Sequence, residues 1–80
     1  MTMVDPEDIR RSIEAALPGA RATVVDTTGG GDHFDVAVAA PHFAGKNLVE
    51  QHQMVYAALR SLMPRIHALA IRTEASEGAR

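Results

Sequence analysis

The chain has 80 residues, no cysteine, and eight Lys+Arg against ten Asp+Glu, for a formal charge of −2. That length supports one domain over residues 1–80 with roughly 60% of its unfolded surface buried, and the composition excludes a disulfide framework, a thiolate metal site and the basic footprint of a phosphate-backbone binder. No stretch approaches the ~18 apolar residues of a membrane span, and the polar start MTMVDPEDIRR lacks the apolar region of a signal peptide, so the expectation is a soluble, cytoplasmic protein.

Asp5-Pro6-Glu7-Asp8 reads as a helix start: Asp5 caps free amides, Pro6 loses nothing at the first helical position, and the acids suit the positive end of the dipole. Ile9, Ile13, Ala16 and Leu17 then share one face until Pro18-Gly19. A short strand follows from Ala22 to Asp26, centred on β-favouring Thr23-Val24-Val25. After Gly29-Gly30-Gly31 and Asp32, the run from His33 alternates, with Phe34, Val36 and Val38 on one side and His33, Asp35 and Ala37 on the other. That is a half-buried strand, stopped by Pro41. PHFAGKN connects to a second helix, where Asn47 and Glu50 have the spacing of a capping box. This helix is expected to run to about Met63, with Leu48, Val55, Leu59 and Leu62 on one stripe and His52 completing it. Pro64 closes the helix, and Ile66-His67-Ala68-Leu69-Ala70-Ile71 reads as a third strand covered by helices. After Thr73 the tail, residues 74–80, is expected to fray.

The order is α-β-β-α-β. A short loop makes the first two strands an antiparallel hairpin, while the ~25-residue connection carrying a helix permits the second and third to be parallel through a right-handed crossover. The result is a two-layer α+β domain with a three-stranded mixed sheet. In that topology His33 and His67 stand at the N-terminal ends of neighbouring parallel strands, beside the glycine loop.

The loop has three readings: a hairpin turn alone, a turn that also forms a partner or cluster surface, or a phosphate nest. His67 is either a packed strand histidine or a metal ligand. His33 is a second ligand or a surface histidine paired with Asp32 or Asp35. His52 reads as structural and His42 as a surface residue. No Cys nucleophile, no Ser-His-Asp spacing and no cofactor fingerprint is present, so an enzyme is not expected. A KH-like RNA reader wants a GxxG loop and a basic groove, and FAGKN supplies one Gly and one Lys.

Three stretches, VVDTTGGGDHFDVAV, FAGKNLVEQHQMVYAAL and IHALAIRT, resemble the BolA family from about Ile9 to Thr73. The likeness is strongest at Phe43-x-Gly45, at His52-x-x-Val55-Tyr56-x-x-Leu59 and at Ile66-His67-Ala68-Leu69. The resemblance implies a class II KH-like fold with short extra helices, in which Phe34, Phe43, Gly45, His52 and Tyr56 are structural. It also implies partnership with a monothiol glutaredoxin in iron-sulfur trafficking, iron regulation and stress response, either as an apo complex or around a shared [2Fe-2S] cluster with glutathione. The isolated chain, a monomer or weak homodimer, would carry no cofactor. The family's C-terminal ligand histidine maps onto His67. Its second ligand comes from the hairpin loop as a Cys or a His, where this chain has Gly29-Gly30-Gly31, so His33 is the nearby imidazole and Gly29, Gly30, Gly31 and Asp32 are the expected partner surface. The alternative is a KH-like nucleic-acid-binding regulator. Family members often carry Arg-His-Arg around the helix histidine, but this chain reads Gln51-His52-Gln53.

Overall fold

The computed structural model describes residues 4–76. Helix α1 (Pro6–Ala16) begins as its sequence dictates, with the Asp5 carboxylate accepting the Glu7 N–H at 2.9 Å and Pro6 in the first turn. Ile9, Ile13 and Leu17 are buried, whereas Ala16 is exposed. Strands β1 (Arg21–Asp26) and β2 (His33–Ala40) form the antiparallel hairpin, with Asp26 opposite Phe34 and Arg21 opposite Ala39. Strand β3 (Ala68–Ala75) runs parallel to β2, with His33 opposite Ala68 and Ala40 opposite Ala75, so β2 is the central strand of the mixed sheet. Helix α2 (Leu48–Ala58) makes the crossover, and two short 3-10 turns, Pro41–Phe43 and Met63–Arg65, are the extra helices.

Alternation along β2 decides which face is covered. Phe34, Val36, Val38 and Ala40 are buried with Ile9 and Ile13 of α1 and Val55 and Leu59 at α2 in one apolar core. Phe43, fully buried, joins that core from the connector. The opposite face of the sheet is open, a shallow trough lined by residues such as Thr23, Asp35, Ala37, Ala70 and Arg72.

Several expectations are corrected. β3 is covered on one face only, because Ala68, Ala70, Arg72 and Glu74 are exposed; alanine counts as apolar in a sequence run yet costs little in water, which made IHALAI look buried throughout. The strand starts at Ala68, leaving Ile66 to enter the core from the preceding turn. Helix α2 stops at Ala58, five residues before Met63, because tighter bonds such as Leu62 N–H to Leu59 O (2.8 Å) turn Leu59, Leu62 and Ile66 into the core. Leu48 is exposed rather than part of the buried stripe, and Tyr56, expected as structural, is exposed on α2 as well. At the other end β3 reaches Ala75, past Thr73, and the Ser76 N–H bonds Ala40 O at 3.1 Å, so the chain is still paired where fraying was expected. Residues 77–80 of that expected tail lie outside the described residues.

The capping box forms as read: Asn47 Oδ1 accepts the Glu50 N–H at 2.8 Å and Glu50 Oε1 accepts the Asn47 N–H at 3.0 Å. Gln51, one residue on, donates from its amide to Lys46 O at 2.9 Å and Phe43 O at 3.3 Å, and its Oε1 accepts the Thr73 hydroxyl. One side chain thus ties the connector to β3. Gln51 can do this because its neutral amide donates and accepts at once.

Candidate functional site

The glycine loop is organised by the residue that ends β1. The Asp26 carboxylate reaches across the turn, Oδ1 accepting the Thr28 and Gly29 N–H groups at 3.3 and 2.9 Å and Oδ2 accepting the Gly31 N–H at 2.9 Å. The Gly30 N–H donates to Thr28 Oγ1 at 3.2 Å. A phosphate nest needs outward-facing amides, and here they are spent on Asp26 and Thr28. Gly31 has φ +76°, and its carbonyl accepts the Val4 N–H at 3.1 Å. A side chain at Gly30 would be crowded: a Cβ there would lie 3.2 Å from Asp32 Oδ1 and 3.4 Å from Thr28 Oγ1.

That space belongs to Asp32. Its Oδ1 accepts the Thr28 hydroxyl at 3.3 Å and lies 3.0 Å from His33 Nδ1. The hydrogen bond with His33 holds the Asp32 carboxyl below the usual carboxylate range, against the opposing effect of partial burial. An ionised carboxylate can only accept, so the contact places a proton on His33 Nδ1. The Asp32 main-chain carbonyl faces the other way and accepts the His67 and Ala68 N–H groups at 2.8 and 3.1 Å.

His67 sits in the bend one residue before β3, not inside the strand as expected, and its side chain is exposed. The parallel register nevertheless brings it to His33, with ring centroids 4.9 Å apart and planes tilted by 59°. Of the other two histidines, His52 is half-buried on α2 and His42 is exposed. Among the described residues no group of three or more His, Cys, Asp or Glu side chains gathers to hold a metal ion. The edge offers two imidazoles, a donor set that would fit one iron of a histidine-ligated [2Fe-2S] centre. Phe34, beside His33, and Phe43 are fully enclosed in the core, and Gly45 takes φ +78° in the connector. No helix among the described residues is long and apolar enough to cross a membrane.

Asp26 was missed in the sequence, read only as the end of a strand. Its signal was there: an Asp two to five residues ahead of Thr28, Gly29 and Gly31 has the spacing for side-chain bonds to turn amides.

Comparison with known proteins adds an independent line. The family model for BolA-like protein matches residues 9–78. Protein BOLA2 of Arabidopsis thaliana is 42% identical over 71 residues, 88% of this chain and 76% of that protein. A bolA protein homologue from Coxiella burnetii has a TM-score of 0.75 at 35% identity, covering 94% of each chain. The BolA domain of SufE1 from Arabidopsis thaliana has a TM-score of 0.74 at 30% identity, covering 88% of this chain and 90% of that one.

Proposed function

The chain belongs to the BolA-like family, and from that premise we propose that it is an adaptor that binds a monothiol glutaredoxin and co-ligates a [2Fe-2S] cluster with it, in iron-sulfur trafficking or iron regulation. The observation that supports this reading most is the pair of imidazoles at the hairpin edge, His33 and His67, 4.9 Å apart. His67 and His33 take one side of the shared centre, and the glutaredoxin thiolate with glutathione takes the other. When bound, the cluster supplies a transferable iron-sulfur unit whose potential is raised by histidine in place of thiolate. This chain's own work is to present two nitrogen donors in a fixed relation and to offer the glycine loop, Gly29 to Gly31, as the adjoining contact surface. A BolA domain within SufE1 supports a role as a unit that works alongside another protein.

Reconstitution tests the reading. The chain, a monothiol glutaredoxin, glutathione, ferrous iron and sulfide are combined anaerobically, and visible absorption and circular dichroism are followed. A coloured heteromeric complex is expected, with a dichroism spectrum distinct from that of the glutaredoxin alone; an unaltered glutaredoxin spectrum would count against it. Alone, the chain is expected to purify colourless, since it brings two nitrogen ligands and no thiolate. Tight stoichiometric iron in that preparation would contradict the shared-ligand reading.

Nucleic-acid binding is expected to be weak and unselective at about 0.15 M salt. The net charge is −2, and Gln51 is committed to the connector and Thr73. A sub-micromolar, sequence-selective complex in a salt titration would favour the KH-like regulator instead.

A further inference from the structure

Asp32 is bonded to both histidines. Its carboxylate meets His33 Nδ1 at 3.0 Å, and its carbonyl receives the His67 N–H at 2.8 Å. The carboxylate is itself fixed by the Thr28 hydroxyl at 3.3 Å, in space that a Cβ at position 30 would crowd. An unconstrained neutral histidine side chain prefers its proton on Nε2, the nitrogen that a ligand role for His33 needs bare. A carboxylate against Nδ1 reverses that preference, orients the ring and makes it a better donor.

We infer that Asp32 is a positioning residue for this edge: its carboxylate locks His33 in the Nδ1–H tautomer with Nε2 as the free donor, while its main-chain carbonyl anchors His67 alongside. This rests on the proposed ligand role of the two histidines and adds what makes one of them competent. Because the two functions of Asp32 use different atoms, they separate by substitution. Asp32→Ala removes the acceptor from His33 and keeps the carbonyl that holds His67; Asp32→Asn keeps an oxygen acceptor without the charge. Among the described residues the His67 ring has no hydrogen bond to a carboxylate, but the Asp32 charge acts on it and it lies against the His33 ring, so its tautomer is read alongside that of His33.

The test has two arms. In the first, long-range nitrogen-proton NMR on the isolated, 15N-histidine-labelled chain in mildly alkaline buffer reports which ring nitrogen of each histidine carries the proton. His33 is expected as the Nδ1–H form in the native chain, mixed or mainly Nε2–H in Asp32→Ala, and largely restored in Asp32→Asn, with His67 changing less than His33. In the second, cluster release from the glutaredoxin complex to a chelator is expected to become roughly 10- to 100-fold easier in Asp32→Ala, the usual penalty for losing the partner of a ligating histidine, and much less so in Asp32→Asn. A native His33 in the Nε2–H form, or one whose tautomer ignores Asp32→Ala, would overturn the assignment. Equal loss in Asp32→Ala and Asp32→Asn would do the same, as would a changed tautomer with unchanged release. A native complex that forms no cluster at all would instead remove the proposed function, with the NMR arm still deciding whether Asp32 sets the tautomer.

Discussion

Replacing His67 by alanine is expected to abolish the cluster spectrum of the glutaredoxin complex, whereas His33→Ala is expected to weaken or shift it. A rigid strand around His67 and a loose loop beside His33 do not explain that asymmetry. His67 precedes β3 in an exposed bend, while His33 is the first residue of β2 and is held by Asp32. The asymmetry now follows from what stands next to each ligand. Losing His33 frees the Asp32 carboxylate, 3.0 Å from the missing nitrogen, to offer an oxygen to the same metal. Losing His67 leaves Arg65, Ile66, Ala68 and Leu69 as its neighbours in sequence, none of them a donor. Both side chains are surface-facing at a strand edge, so the fold should survive either change, and unfolding curves of the variants should overlay those of the native chain. Retention of the native spectrum and lability in His67→Ala would sink the ligand assignment.

Asp26→Ala is expected to carry the largest stability effect outside the apolar core. One carboxylate accepts three main-chain N–H groups across the loop. Bonds to a charged acceptor contribute about 1.5–3 kcal/mol each when sheltered, and these are largely exposed to water, so a total near ~2 kcal/mol is the reasonable scale. For a domain of this size that lowers the melting temperature by about 10 °C. The functional consequence should be larger than the thermal one. Gly31, Asp32 and His33 follow one another, so a loosened turn moves Asp32 away from both histidines. Cluster release should therefore accelerate with His33 and His67 intact, and the Gly29 and Gly31 amides should lose exchange protection. A melting temperature within about 2 °C of native would show that the turn is held by its glycines and not by Asp26.

What could be read from the sequence was whatever depends on local chemistry and period. Asp5-Pro6 set the start of α1, Asn47 with Glu50 set the start of α2, and the Phe34-Val36-Val38 alternation identified the core face of β2. The pairing of His33 with His67 was legible as well, since a hairpin followed by a helical crossover puts both at one sheet edge. The misread features depend on tertiary choices. Whether Ile66-His67 joins the strand or turns into the core is decided by the space below Leu59 and Leu62. Whether β3 is covered twice is decided by how many helices exist to cover it. The Asp32 contacts were half visible: its pairing with His33 was one of two candidates, but its carbonyl's hold on His67 crosses 35 residues and requires the parallel register to be known.

The account stands on two nitrogen ligands coming from this chain to a centre completed by another. Electron-nuclear double resonance on the reduced complex, with only this chain's histidines 15N-labelled and the glutaredoxin at natural abundance, reads that directly. The predicted result is two inequivalent 15N couplings, both from imidazoles, one of which disappears in His33→Ala. A reduced cluster with no 15N coupling from this chain would contradict the account, because His33 and His67 would then be neighbours without being ligands.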